Sequence, residues 1–387
     1  MNRNEKTDIM MALLRVAIAG AEAPAGLCDT LSEEDVRSML ALCGGYDVSE
    51  ALFAALVKCG AVSRDDGVYS AFAEVQERNF FRCKRLEHTL SEIGRALVEA
   101  RIDYVPLKGA VMRSYYPSPM MRMSADVDVL VRESELDGAC RALEAVGFAV
   151  KGKKGFHDIS LYSPDGMHLE LHYNIKENDS RLDPTLERAF DYLVPSADGG
   201  YERRFTPEFF AFHLFTHMTY HFINGGCGIR PFADLWIWRH RVGYDDGAVR
   251  ELCRECGIEV FYEKAILLSE VWFSGAPHTP ITRRMEDHVI YNSIYGSATK
   301  GIVLRQSKRG GRLGYILSRI FMPYSQLKIR YPIVGKFPPL LPVFEVVRWV
   351  SFLFGDKKAV RDELGQTKRI SAEQMNGMKQ LLSDVGL

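Results

Sequence analysis

Ser124-Ala125-Asp126-Val127-Asp128-Val129-Leu130-Val131 is the stretch that decides the fold. Its valines and leucine read as a buried β-strand, yet two carboxylates two residues apart interrupt it. Side chains alternate along a strand, so Asp126 and Asp128 point to the same face, their Cα atoms roughly 6.5–7 Å apart. Two carboxylates brought to ~4 Å repel by about 4 kcal/mol at an effective dielectric near 20. Something positive is required between them, and a divalent cation, Mg²⁺ first, meets that need.

Upstream lies Tyr104-Val105-Pro106-Leu107-Lys108-Gly109-Ala110. It reads as a short apolar strand, a glycine at the turn, and a helix over Val111–Tyr116. A glycine at that junction lets backbone approach a ligand closely, and the helix start offers free N–H groups to a phosphate. Lys108 adds a point charge, and Arg122, four residues before Asp126, adds another. The plainer alternative leaves Gly109 an ordinary turn glycine and the two cations solvated.

Downstream, His157–Ser163 and Met167–Ile175 read as two strands joined at Asp165-Gly166, a strong hairpin signal. In the second strand His168, Glu170 and His172 share one face, while Leu169, Leu171 and Tyr173 share the other. Placed beside the Asp126–Asp128 strand, Glu170 brings a third carboxylate to a two-metal phosphoryl-transfer type of cluster. On an edge strand it would instead face water.

The order strand, Lys-Gly, helix, Asp-x-Asp strand, helix, acid-bearing hairpin resembles the nucleotidyltransferases of the DNA polymerase β superfamily. More narrowly, Leu107-Lys108-Gly109, Tyr115-Tyr116-Pro117, Arg122 and Asp126–Val131 are similar to an uncharacterised bacterial nucleotidyltransferase family, type 5. Glu170-Leu171-His172-Tyr173 and the later His217, His221, Arg230 and Asp234 extend the likeness, which covers roughly residues 80–350 and is sharpest over 104–131. The resemblance implies an α+β fold, a polymerase β-like core of mixed sheet and helices over residues 101–200. Helical regions over 1–100 and 201–387 flank it. It implies that Asp126, Asp128 and Glu170 are the catalytic acids and hold two Mg²⁺ ions, with Mn²⁺ as an alternative. Lys108, Gly109 and Arg122 then bind ATP or another NTP, and His172, His217, His221, Arg230 and Asp234 line the cleft. The implied reaction moves an NMP from the NTP to an unknown hydroxyl or phosphate acceptor and releases pyrophosphate. Two departures from the wider superfamily stand out: Lys108-Gly109-Ala110 replaces the usual Gly-Ser or Gly-Gly, and the third acid is Glu. These keep a non-catalytic nucleotide-binding scaffold and a metal-dependent phosphohydrolase open as rival readings.

The rest of the chain bounds this picture. A net charge of −1 over 387 residues gives no global pull towards long nucleic acid, so a small molecule or a protein is the favoured acceptor. Eight scattered cysteines without a disulfide framework point to a reducing cytoplasm. Cys253-Arg254-Glu255-Cys256 is a lone pair, read as structure ahead of a metal or redox role. The N-terminus lacks an apolar core followed by a cleavage site, and no apolar run reaches ~18 residues, so neither signal peptide nor transmembrane segment is expected. Helical periodicity marks Glu5–Ile18, Glu33–Leu42, Glu50–Val57 and Phe72–Ala100, with Ser32 and Ser49 as N-caps, packing on the α/β core. Pro207 opens a helix to about Phe222, on which His213, His217 and His221 recur every fourth residue, as metal ligands or as a packed seam. Arg230 and Asp234 lie one turn apart, to pair with each other or to line the cleft with Trp236 and Trp238. From Arg312 to Phe354 the chain is apolar and basic: Arg312, Arg319, Lys328, Arg330, Lys336 and Arg348 face only Glu345. Such a segment covers a core with long basic side chains, makes peripheral membrane contact or docks an acidic partner.

Overall fold

The computed structural model describes residues 3–152, 154–196, 199–224, 227–290, 327, 331–354 and 372–387. Packing divides the chain into two compact units, Met1–Met218 with Gly228–Arg283, and Thr219–Cys227 with Arg284–Leu387. The first unit holds the N-terminal helices, the sheet, the chain as far as Met218, and Gly228–Arg283.

That unit opens with α1 (Arg3–Ile18), α2 (Glu33–Gly44), α3 (Ser49–Lys58) and the long α4 (Gly67–Glu99). Ser32 caps α2 as expected: its hydroxyl accepts from the Asp35 N–H at 3.2 Å, and Asp35 accepts from the Ser32 N–H at 3.3 Å. Ser49 does not cap α3. The cap position falls on Val48, which has no side-chain acceptor, and Ser49 sits inside the first turn.

The sheet comprises β1 (Tyr104–Pro106), β2 (Asp126–Val131), β3 (Ala149–Val150), β4 (Asp158–Tyr162) and β5 (His168–His172), in the order β1-β2-β5-β4-β3. β2 and β5 run parallel; the other neighbours are antiparallel, so the sheet is mixed and the fold α+β. The β4–β5 hairpin turns at Asp165-Gly166, where Gly166 takes a φ of +82°, a left-handed value that glycine adopts without strain.

One face of this sheet makes the core. Val127, Val129 and Val131 of β2 and Leu169 and Leu171 of β5 pack with Leu86, Ile93 and Leu97 of α4 and with Leu136, Ala139 and Leu143 of α6 (Leu136–Ala145). Each valine, leucine or isoleucine among them stabilises the fold by about 1.5–3 kcal/mol when fully buried. A one-residue slip of either strand would turn its whole apolar row to the wrong side, so burial locks the register. Alternation then sends Asp126, Asp128, His168, Glu170 and His172 to the opposite face.

The helix after β1 begins earlier than its sequence suggests. α5 spans Lys108–Met112 and passes into a 3₁₀ turn over Arg113–Tyr115. Lys108 itself carries the left-handed bend, with a φ of +40°, and Gly109 lies buried in the first turn. A Cβ on Gly109 would stand 3.2 Å from Ser124 Oγ, 3.3 Å from Ser124 Cβ and 3.4 Å from Arg122 Nη1. Gly109→Val is therefore expected to destabilise the protein by about 1–3 kcal/mol, the usual range for overpacking, read as a lowered midpoint in urea melts.

Beyond the sheet follow α7 (Asp183–Leu186), a small hairpin of β6 (Leu193–Pro195) and β7 (Arg203–Phe205), α8 (Pro207–Asn224), α9 (Arg230–Ile237), α10 (Asp246–Glu255), α11 (Glu259–Ser274) and α12 (Pro280–Ile290). α4 covers the sheet, whereas α1 packs on α11: Arg15 donates to the carbonyls of Trp272 and Val271 at 3.0 and 2.9 Å. Trp236 and Trp238 are fasteners, donating to Ser274 Oγ at 2.8 Å and to the Pro207 carbonyl at 2.9 Å. Cys253 and Cys256 are buried, and Cys256 Sγ lies 3.4 Å from Thr185 Oγ1. Burial pushes both thiols up, as befits packing residues.

The second unit holds α13 (Pro332–Lys336), α14 (Leu341–Phe354) and α15 (Ala372–Asp384). Val343, Val346 and Val347 of α14 are exposed and Glu345 is buried. Of the basic residues read from this segment, Arg312, Arg319, Lys328 and Arg330 and the Arg348 side chain lie outside the described residues. Among the described residues no helix is long and apolar enough to cross a membrane.

Candidate active site

The parallel register of β2 and β5 builds the site. Asp126 stands opposite His168, Asp128 opposite Glu170, and Leu130 opposite His172. β5 is an interior strand, flanked by β2 and β4, so Glu170 is not on a solvated edge. Two overlapping groups result. Ligand atoms of Asp126, His168 and Glu170 lie within 4.8 Å of one another, and so do those of Asp128, Glu170 and His172.

The charges in this patch are unequal. Lys108 Nζ donates to Asp128 Oδ1 at 3.2 Å, and His172 Nε2 lies 3.0 Å from the same oxygen and 3.5 Å from Glu170 Oε2. Burial alone would raise the Asp128 carboxyl, but Lys108 and His172 hold it well below the usual carboxylate range. The His172 hydrogen bond, ahead of burial, leaves Glu170 lowered too. Asp126 goes the other way: burial first, then repulsion from Asp128 and Glu170, push its carboxyl up.

Burial would lower the His172 imidazole, yet its hydrogen bonds to Asp128 and Glu170 leave it raised. A raised imidazole stabilises the fold fully below the unfolded value of about 6.5, and that contribution is lost as pH rises through the folded value. In chelator, the melting temperature is expected to fall as pH climbs above about 6.5 through this window. His172→Asn should flatten that slope in pH-resolved thermal melts, and an unchanged slope would remove His172 as its source.

Neighbouring rings pack around this patch. His157 stacks on His172 with centroids 5.2 Å apart and bonds the Lys176 carbonyl through Nδ1 at 3.1 Å. His168 stacks on Tyr162 and meets Ser160 Oγ through Nε2 at 3.1 Å. From α8, His217 Nδ1 lies 2.8 Å from Glu177 Oε1. His213 is buried, with neither ring nitrogen partnered among the described residues. Burial, then Lys108, push its imidazole well down. His221 belongs to the second unit. Among the described residues His213, His217 and His221 form no metal-binding group.

Arg122, expected at the triphosphate, is committed elsewhere. Its Nε and Nη2 each donate to Asp234 at 2.8 Å, and Tyr116 OH donates to the same carboxylate at 2.7 Å. Asp234 thus pairs with Arg122 and not with Arg230, which instead bonds Asp47 at 2.6 Å and the Met123 carbonyl at 3.2 Å. The reason is geometric: α9 lays Asp234 against the segment entering β2, where a buried guanidinium needs a bidentate acceptor. Sequence reasoning passed over His157 and Glu177. Pairing His157 with Tyr173 across the hairpin would have found the first; Glu177 lies past the strand, where no periodicity marks it.

The sheet and its flanking helices make an α+β protein with an acidic sheet face. A family described as an uncharacterised nucleotidyltransferase matches residues 32–274, more than half of the chain and the whole of the sheet. The chain belongs to that family. No curated protein matches it.

Proposed function

We propose that this protein carries a polymerase β-like core and moves an NMP from ATP or another NTP to a hydroxyl or phosphate on a small molecule or protein, releasing pyrophosphate. The observation that carries the reading is the register that sets Glu170 beside Asp128, with Asp126 on the same face. The donor set suits a divalent cation: two carboxylates meet in each of two groups that share Glu170, and the repulsion felt by Asp126 is what a cation relieves. Asp126, Asp128 and Glu170 would hold it; when bound, it supplies Lewis-acid stabilisation of phosphate charge and a more acidic acceptor hydroxyl. Lys108 and the backbone at Gly109 meet the triphosphate, Lys108 as a point charge at the bend that opens α5. Arg122 acts through position, clamping the segment before β2 to Asp234. The acceptor oxygen attacks the α-phosphorus in line, the bond to pyrophosphate breaks, and the acceptor proton passes to a carboxylate of the cluster. Eight free thiols accord with a reducing compartment.

A second reading, a nucleotide-binding scaffold, draws on the Lys108–Asp128 pair, which already balances Asp128 without a cation. Incubation with NTPs labelled at the α- or γ-phosphate separates the readings. Transfer of α-label to an acceptor, seen as a one-nucleotide mass gain with free pyrophosphate, supports the transferase. Free orthophosphate means a hydrolase, and binding without turnover means the scaffold.

A further inference from the structure

We infer that the acidic face is a pair of mixed nitrogen–oxygen cation sites sharing Glu170, with His168 and His172 as ligands, and that it takes a first-row transition-metal dication in preference to Mg²⁺. The inference rests on the reading above only in placing a cation at this face. The rest follows from the strands. Alternation on β5 puts His168, Glu170 and His172 in one row, and the parallel register sets Asp126 and Asp128 alongside it. Each aspartate then shares Glu170 with one imidazole, Asp126 with His168 and Asp128 with His172. The donor atoms of each group lie within 4.8 Å of one another, close to twice a metal–ligand bond of ~2.1 Å, so small side-chain rotations close each site.

Both imidazoles are held in place by neighbours on the sheet. Ser160 and Tyr162 fix His168, and His157 stacks on His172, which is 4% exposed. His172 Nε2 points between carboxylates from two strands, and its buried Nδ1 has no partner among the described residues. Imidazole nitrogen is a poor match for Mg²⁺, which keeps oxygen ligands and its own water, and a good one for softer first-row ions. The two sites also differ. Lys108 must leave Asp128 before an ion enters the His172 group, whereas among the described residues no cation pairs with Asp126. The Asp126–His168–Glu170 group therefore fills first.

Metal-stripped full-length protein titrated with Mn²⁺ tests this by pulsed electron paramagnetic resonance, which detects directly bound nitrogen. The expected result is nitrogen modulation on bound Mn²⁺, with the first equivalent losing it in His168→Asn and the second in His172→Asn. In equilibrium dialysis, Mg²⁺ should need roughly 10–100-fold higher concentration to displace half of the Mn²⁺. Mn²⁺ bound without nitrogen modulation, displacement by Mg²⁺ at equal concentration, or no binding at all overturns the inference. If either variant fails to fold by circular dichroism, the wild-type modulation decides. Transfer that runs on Mg²⁺ alone, with nitrogen-free Mn²⁺, sinks this inference and leaves nucleotidyl transfer standing. Nitrogen-bound Mn²⁺ with no α-label moved does the reverse.

Discussion

Asp126→Asn is expected to cut nucleotidyl transfer by about 10³-fold, the upper end of what removing one electrostatic stabiliser does. The same substitution should raise the melting temperature, by roughly 1–2 °C. The opposite signs come from one cause. Burial, Asp128 and Glu170 all disfavour the Asp126 charge, so its carboxyl is raised in the folded protein. The native state then holds more protons than the unfolded chain between the two values, and stability falls as pH rises through that window. At neutral pH the full penalty is present, and a neutral amide of the same shape removes it. A merely structural carboxylate would behave otherwise, losing stability and leaving chemistry alone. Thermal melts in chelator and the α-label assay check both halves. Full activity, or a melting temperature lower by several degrees, would refute the assignment.

Asp234→Ala is expected to cost about 3–5 kcal/mol, because it leaves the Arg122 guanidinium buried without its counter-ion. That corresponds to a fall in melting temperature of roughly 10 °C. Arg122, Asp234 and Tyr116 are 4%, 3% and 4% exposed, so solvent does not take up the lost bonds. Burial would lower the Arg122 guanidinium, yet Asp234 outweighs it and leaves the group raised; burial, then Asp234, raise the Tyr116 hydroxyl well above its ordinary value. Replacing both charges, Arg122→Met with Asp234→Leu, should recover most of the stability, since apolar groups of similar volume commonly substitute for a buried pair. The double variant also separates two roles for Arg122. A KM for NTP near that of the unmodified protein fits a clamp, and a KM raised many-fold fits direct contact with phosphate. A single variant melting within ~2 °C of the unmodified protein would show that the pair is not structural.

Much of the site was legible because its signals are local. A period of two puts Asp126 and Asp128 on one face whatever the rest of the chain does, and the same rule separates His168, Glu170 and His172 from Leu169 and Leu171. Asp165-Gly166 demands a tight turn, and the mixture of helical and strand periods marks both kinds of element, whereas the α+β fold with a mixed sheet was what the family resemblance implied. Some local signals still misled. Ser49 has the chemistry of a cap, but α3 starts one residue too early to use it. Gly109 looks like the bend, but Lys108 adopts it, because Gly109 is needed where Ser124 and Arg122 press closest.

What the sequence alone determined, then, is the kind of elements and the faces their side chains share, since backbone sterics and turn chemistry act between near neighbours. Only the tertiary structure decided which faces meet. The parallel pairing that sets Glu170 beside Asp128, the choice of Asp234 by Arg122 from 112 positions away, and that of Asp47 by Arg230 from 183 all arise this way. A buried charge takes whichever counter-charge the packed core delivers, and no spacing along the chain encodes that delivery.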